Sequence, residues 1–138
     1  MIQRQQSLWL LLSGVCAFLT FRLPFYSGTV KPGESNPVPS IDAGDNLFLL
    51  LLTAIEIIIS VVTIFLYKER KRQIKFAIGG AVLSAIIITL YFVAMRRFAT
   101  GSIAIWAIFA IGAFIGFIMA ARGIWKDEKL VKSLDKLR

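Results

Sequence analysis

Four apolar runs, each about as long as a membrane helix, alternate with polar segments along this chain. A hydrocarbon layer of roughly 30 Å takes about 20 helical residues, and the runs lie at about 7–26, 47–67, 76–95 and 102–121. They predict an all-α membrane protein with four transmembrane helices. The first run, Ser7 to Phe21, extends toward Tyr26 through Leu23-Pro24-Phe25. Arg4 before it looks like a signal-peptide n-region, but no small-x-small cleavage site follows, and Val15 takes the small position a lipoprotein box needs before Cys16. The run is therefore read as a retained span.

Residues 27–46 are the one substantial loop. Pro32, Gly33, Pro37 and Pro39 favour turns and extended backbone over helix, Glu34, Asp42 and Asp45 outnumber Lys31, and Asp45 or Asn46 is suited to cap the second helix. The second run stops at a short gap, Lys68 to Lys75, and the third at Arg96-Arg97. A brief turn, Phe98-Ala99-Thr100-Gly101, leads into the fourth. From Ile124 on, apolar residues fall at 124, 130, 131, 134 and 137 among Arg122, Lys126, Lys129, Lys132, Lys136 and Arg138. Glu128 and Lys132 make an i,i+4 pair in the favourable order. The fourth helix is thus expected to continue as a cytoplasmic amphipathic C-terminal helix that stands free, lies on the anionic inner leaflet, or docks a partner.

Charge adds an orientation. Of 16 Lys and Arg residues, 12 lie in the N-terminus, the middle gap and the tail; the other two gaps hold only Arg22, Lys31, Arg96 and Arg97. The positive-inside rule then puts both termini in the cytoplasm (N-in/C-in) and the 27–46 loop in the periplasm, for a multi-pass protein of the bacterial inner membrane. Basic residues at span ends are not the basic face that nucleic acid requires, so the +8 net charge does not predict nucleic-acid binding. With 57% hydrophobic residues in 138, too apolar for a soluble core, the chain is expected to be a single integral membrane domain, 1–138.

Candidate chemistry is sparse. There is no histidine, and Cys16 alone makes neither an intrachain disulfide nor a Cys-x-x-Cys redox centre. No nucleophile–base pair or metal set is in view, so neither an enzyme nor a cofactor is expected. One residue demands an explanation. Glu56 sits near the middle of the second run, where a carboxylate costs about 2.5–3.5 kcal/mol on insertion scales. Thr53, Glu56, Ser60, Thr63 and Tyr67 recur at spacings of three and four, so they form a polar stripe on one helix face, expected to face protein. Ser13, Cys16 and Thr20 on the first helix and Ser84 or Tyr91 on the third are candidate partners for Glu56. With no cation at its depth, the carboxyl is expected to be protonated. It then either hydrogen-bonds to set helix register or exchanges a proton or cationic group.

Small residues recur at four-residue spacing in Ala77, Ala81 and Ala85, with Gly80 and Ser84 beside them, and in Gly112, Gly116 and Ala120. They predict close packing, first of all in a seam between the third and fourth helices. Trp9, Trp106, Trp125, Tyr26, Tyr67 and Tyr91 lie near span ends, as an aromatic belt would.

Three stretches carry a family resemblance: Met1-Ile2-Gln3-Arg4 leading into Leu8-Trp9-Leu10-Leu11-Leu12; Ile64-Phe65-Leu66-Tyr67-Lys68 with Arg70, Gln73 and Ile74; and Arg122-x-Ile124-x-Lys126-Asp127-Glu128-x-Leu130-Val131-x-Ser133-x-Asp135-Lys136-Leu137-Arg138. The chain resembles a family of small uncharacterised four-span inner-membrane proteins of Bacteroidota, a domain of unknown function. That resemblance implies four helices in the inner membrane and supplies no activity. The expected function is a non-enzymatic structural or accessory subunit, with the lipid bilayer and a membrane-protein partner or a second copy as its partners. The alternative is a small transporter using Glu56, by analogy with four-helix exporters, which carry their glutamate in the first helix.

Overall fold

A computed structural model describes the backbone of residues 2–33 and 39–138, and side chains from residue 5 onward within them. Glu34, Pro37 and the Arg4 side chain lie outside the described residues. Four helices dominate: α1 (Ile2–Leu19), α2 (Leu47–Phe65), α3 (Arg70–Met95) and α4 (Ile108–Lys136). By length and composition, three stretches suffice to cross a membrane: Leu47–Lys68, Arg70–Met95 and Ile105–Lys136; a shorter apolar helix covers Gln5–Leu19. Leu, Ile and Val fill α2, because in lipid a helix satisfies its own backbone whatever the residue's preference in water. Asn46, not Asp45, caps α2: its side chain accepts from Phe48 N–H at 3.0 Å.

The chain is not all-α. β1 (Tyr26–Val30), β2 (Ser40–Ile41) and β3 (Phe98–Ile103) form an antiparallel sheet in the order β2-β1-β3. The first helix therefore ends at Leu19 instead of running on toward Tyr26, and the turn expected at Phe98–Gly101 is a strand. In β1, Gly28 lies opposite Gly101. A Cβ on Gly101 would stand 2.6 Å from the Ser27 carbonyl oxygen, so the two strands meet where neither has a side chain. Tyr26, Ile41 and Phe98 turn inward from this sheet onto Phe25, Leu49, Ile87 and Tyr91, making an apolar plug at the sheet end of the bundle.

The sheet gathers the α1–α2 and α3–α4 connections at one end, leaving the α2–α3 turn and the ends of α1 and α4 at the other. Arg70, Arg72 and Lys75, expected in a gap, already belong to α3. α4 runs without a break through the expected C-terminal helix, for about 44 Å at 1.5 Å per residue. Its last firm anchors are Ile124, fully buried, and Asp127, whose carboxylate accepts from Gln6 Nε2 at 2.6 Å. From Lys129 onward every residue is exposed. Truncation after Glu128 is therefore expected to leave the melting temperature in detergent within about 2 °C of the full chain. Truncation after Gly123, which also removes Ile124 and Asp127, lowers it clearly; equal melting of the two would overturn this.

The small residues are placed differently from the expected seam. In α4, a Cβ on Gly112 would be 3.3 Å from Cys16 Sγ, and one on Gly116 2.9 Å from the Trp9 carbonyl oxygen. Ala120 packs with Leu10. The Gly112–Gly116–Ala120 stripe thus faces α1, because α1 is the helix whose serine and cysteine are slim enough to let the backbones close. The α3–α4 contact is instead made by Gly80, whose Cα lies against the Phe117 ring. Ala77 is fully buried, whereas Ala81 and Ala85 border an outward apolar groove with Phe114 and Ile118.

Candidate functional site

Polar side chains run through the middle of the bundle. Gln6, Ser13, Thr20, Thr53, Glu56, Ser60, Thr63, Gln73 and Ser84 are all buried. Most are tied across helices or to a helix carbonyl. Ser60 of α2 donates to the Leu10 carbonyl of α1, Ser13 of α1 to the Ala113 carbonyl of α4 at 2.9 Å, and Gln73 of α3 to the Thr63 carbonyl of α2 at 3.1 Å. Thr63 itself donates to Ile59 one turn back. Where lipid offers no partner, such hydroxyls hold one helix to the next.

Glu56 stands in this series with 3% of its surface exposed. Of its candidate partners, Ser84 of α3 is the one engaged, donating its hydroxyl hydrogen to Glu56 Oε1. Between Glu56 and the sheet end lies the apolar plug, to which α2 contributes Leu49 and α3 Ile87 and Tyr91. On the other side lies a cluster of Leu10, Phe117 and Ala120, with Ile59 and Ala81 against it. Two hydroxyls near this point make no hydrogen bond of normal geometry among the described residues: Thr53 Oγ1, one turn before Glu56, and Tyr91 Oη, on the same helix as Ser84. Thr20, beside Tyr91, gives its own hydrogen to the Ala17 carbonyl at 2.7 Å. The arrangement can lock register between α2 and α3, and it sets one acid in a buried core close to the Thr53 and Tyr91 hydroxyls.

Four members of the predicted stripe, Thr53, Glu56, Ser60 and Thr63, share the buried face. Tyr67 does not. α2 tightens into a 3-10 turn at Leu66–Lys68, and the shorter repeat rotates Tyr67 outward to 47% exposure, with Lys68 Nζ 5.8 Å from its ring centre. The aromatic belt is corrected in the same way. Trp106, Trp125 and Tyr67 are exposed, but Tyr26 and Tyr91 are buried; Tyr91 stacks on Phe25 at 4.4 Å between ring centres. The turn after α1, at residues 20–22, brings the chain back so that Phe25 covers Tyr91, which no spacing within α3 reveals. At the sheet end, partial burial pushes the Asp45 carboxyl above its ordinary range; the hydrogen bond from Asp42 N–H opposes this and the Asp42 charge adds to it. Among the described residues no cluster of His, Cys, Asp and Glu is arranged to hold a metal.

Residues 2–137 match the family described as a domain of unknown function, DUF4293. The chain belongs to that family. The match spans nearly the whole length, including the sheet, the Glu56 region and the unbroken α4. No curated protein and no solved structure matches it. For this DUF4293 member, chemistry is therefore read from its own geometry: a membrane protein, mostly helical, with its intramembrane polar groups turned inward.

Proposed function

We propose that this DUF4293 protein is a four-span protein of the bacterial inner membrane, with both ends in the cytoplasm, that acts without a reaction of its own as a structural or accessory subunit for membrane partners. The observation that carries this reading is how its buried polar groups are spent. Ser13, Ser60, Gln73 and Ser84 each bond to a neighbouring helix, and Glu56 is held between two apolar clusters. Groups used in this way brace helices. Support for a fourth span comes from α1, which pairs with α4 from Gly112–Cys16 to Gly123–Gln6 and is about 27 Å long. The Lys and Arg bias supports the orientation.

One observation favours transport as a second reading: Thr53 Oγ1, buried one turn from Glu56 without a hydrogen-bond partner among the described residues, is a group that an exchanging carboxyl would use. A single experiment separates the two. The tagged chain, drawn gently from its native membranes, is expected to bring a membrane protein with it at fixed stoichiometry. A lone homodimer that couples proton entry to efflux after reconstitution, and stops doing so with Glu56→Gln, would replace the subunit reading. Orientation is checked on the same preparation's cells in a Cys16→Ala background. A membrane-impermeant thiol reagent is expected to label Thr29→Cys and to miss Ser133→Cys.

A further inference from the structure

At the end of the bundle away from the sheet, the α2–α3 turn faces the extension of α4 across a groove of about 570 Å³. Lys68, Arg70, Lys71 and Arg72 form one wall; Glu128 and Lys132 stand on the other. Its two carboxylates are already neutralised by groove cations. Arg72 Nε lies 2.8 Å from Glu69 Oε2, and Lys132 Nζ lies 2.9 Å from Glu128 Oε1. Among the described residues, no acid is paired with Lys68, Arg70 or Lys71, so five cations against two carboxylates leave an excess of three. Helix stability does not account for this placement, since cations in the first turn of α3 oppose its dipole.

The depth of the groove points to what fills it. Tyr67 and Trp125, 47% and 68% exposed, are interface anchors at this end. The groove cations begin one residue beyond Tyr67 and reach Lys132, about 10 Å past Trp125 along α4. That stretch covers the roughly 5–8 Å of headgroup region that each leaflet adds outside the hydrocarbon and reaches just past it. We propose that the groove binds the headgroup phosphate of an anionic phospholipid, which bridges the α2–α3 turn and the α4 extension. A zwitterionic lipid is disfavoured because its ammonium would meet the unpaired lysines and arginine. The proposal rests on the reading that this end lies at a membrane surface.

The test uses the full chain in nanodiscs of phosphatidylcholine with a minor share of phosphatidylglycerol, and native mass spectrometry counts the lipids retained. Phosphatidylglycerol is expected to be retained selectively. Arg70→Gln with Lys71→Gln is expected to weaken retention by about tenfold, and Lys71→Gln alone by less, with helical circular dichroism unchanged. Equal charge removal on the other side of α4, Arg122→Gln with Lys126→Gln, should leave retention within about twofold. Equal losses from both pairs, or equal retention of the two lipids, would overturn the site. Displacement by millimolar inorganic phosphate would also overturn it, in favour of a soluble anion. Both leaflets of a nanodisc offer the lipid, so the result is independent of insertion orientation in cells, which thiol labelling tests separately.

Discussion

Gly116→Val is expected to cost about 3 kcal/mol, at the upper end of ordinary overpacking, and to lower the melting temperature in detergent by roughly 10 °C. A Cβ at this position would collide with Ser13 Oγ and stand 2.9 Å from the Trp9 carbonyl oxygen. Neither neighbour can yield. Ser13 is held by its bond to the Ala113 carbonyl, and the Trp9 oxygen belongs to the α1 backbone. The helices must therefore move apart, uncovering Leu10, Phe117 and Ala120 together. The control is Gly79→Ala, in a helix interior with nothing within 4 Å of the added carbon. Alanine is about 1 kcal/mol better than glycine in such a position, so this variant should melt no lower than wild type. A Gly116→Val chain melting within about 2 °C of wild type would show that the α1–α4 contact is not as close as described.

Ser84→Ala is expected to destabilise by about 1–3 kcal/mol, the cost of leaving a buried polar group without its partner. Glu56 would remain 3% exposed, and its one described hydrogen bond would be gone. Glu56→Gln keeps an acceptor oxygen in place for the Ser84 hydroxyl, so it should melt close to wild type. Replacing both ends together, Ser84→Ala with Glu56→Leu, should recover much of the loss, because two apolar groups have nothing left unsatisfied. The double-mutant cycle then isolates a coupling of about 1–2 kcal/mol. Additive effects would mean that the two side chains do not act as a pair, and register would have to come from Ser13, Ser60 and Gln73 alone.

Much of this site is legible in the sequence. Spacings of three and four put Thr53, Glu56, Ser60 and Thr63 on one face, and a helix repeat does that whatever surrounds it. Which of the five candidate partners would meet Glu56 was not legible. Ser84 meets it because α2 and α3 form an antiparallel pair with a short turn, whose exact register depends on where the 3-10 turn at Leu66–Lys68 falls. The same turn carried Tyr67 off the stripe. The sheet was hidden for a different reason. β3 is a six-residue segment read as a turn, and its partner β1 lies about seventy positions away, so no local pattern marks the pairing. Gly28 and Gly101 matter only together, since each lets the backbones meet where the other has no side chain.

Apolar length and residue spacing by themselves determined the helices and the inward Glu56 face, because hydropathy and backbone repeat act residue by residue against lipid and water; the family resemblance rode on three local motifs. The tertiary structure alone decided that the α4 glycines close on α1, that Ser84 takes the carboxyl, that a sheet closes one end, and that the cations of two distant segments line one groove. Those outcomes depend on which surfaces meet in space, and hydrogen bonds and close packing act only across such meetings.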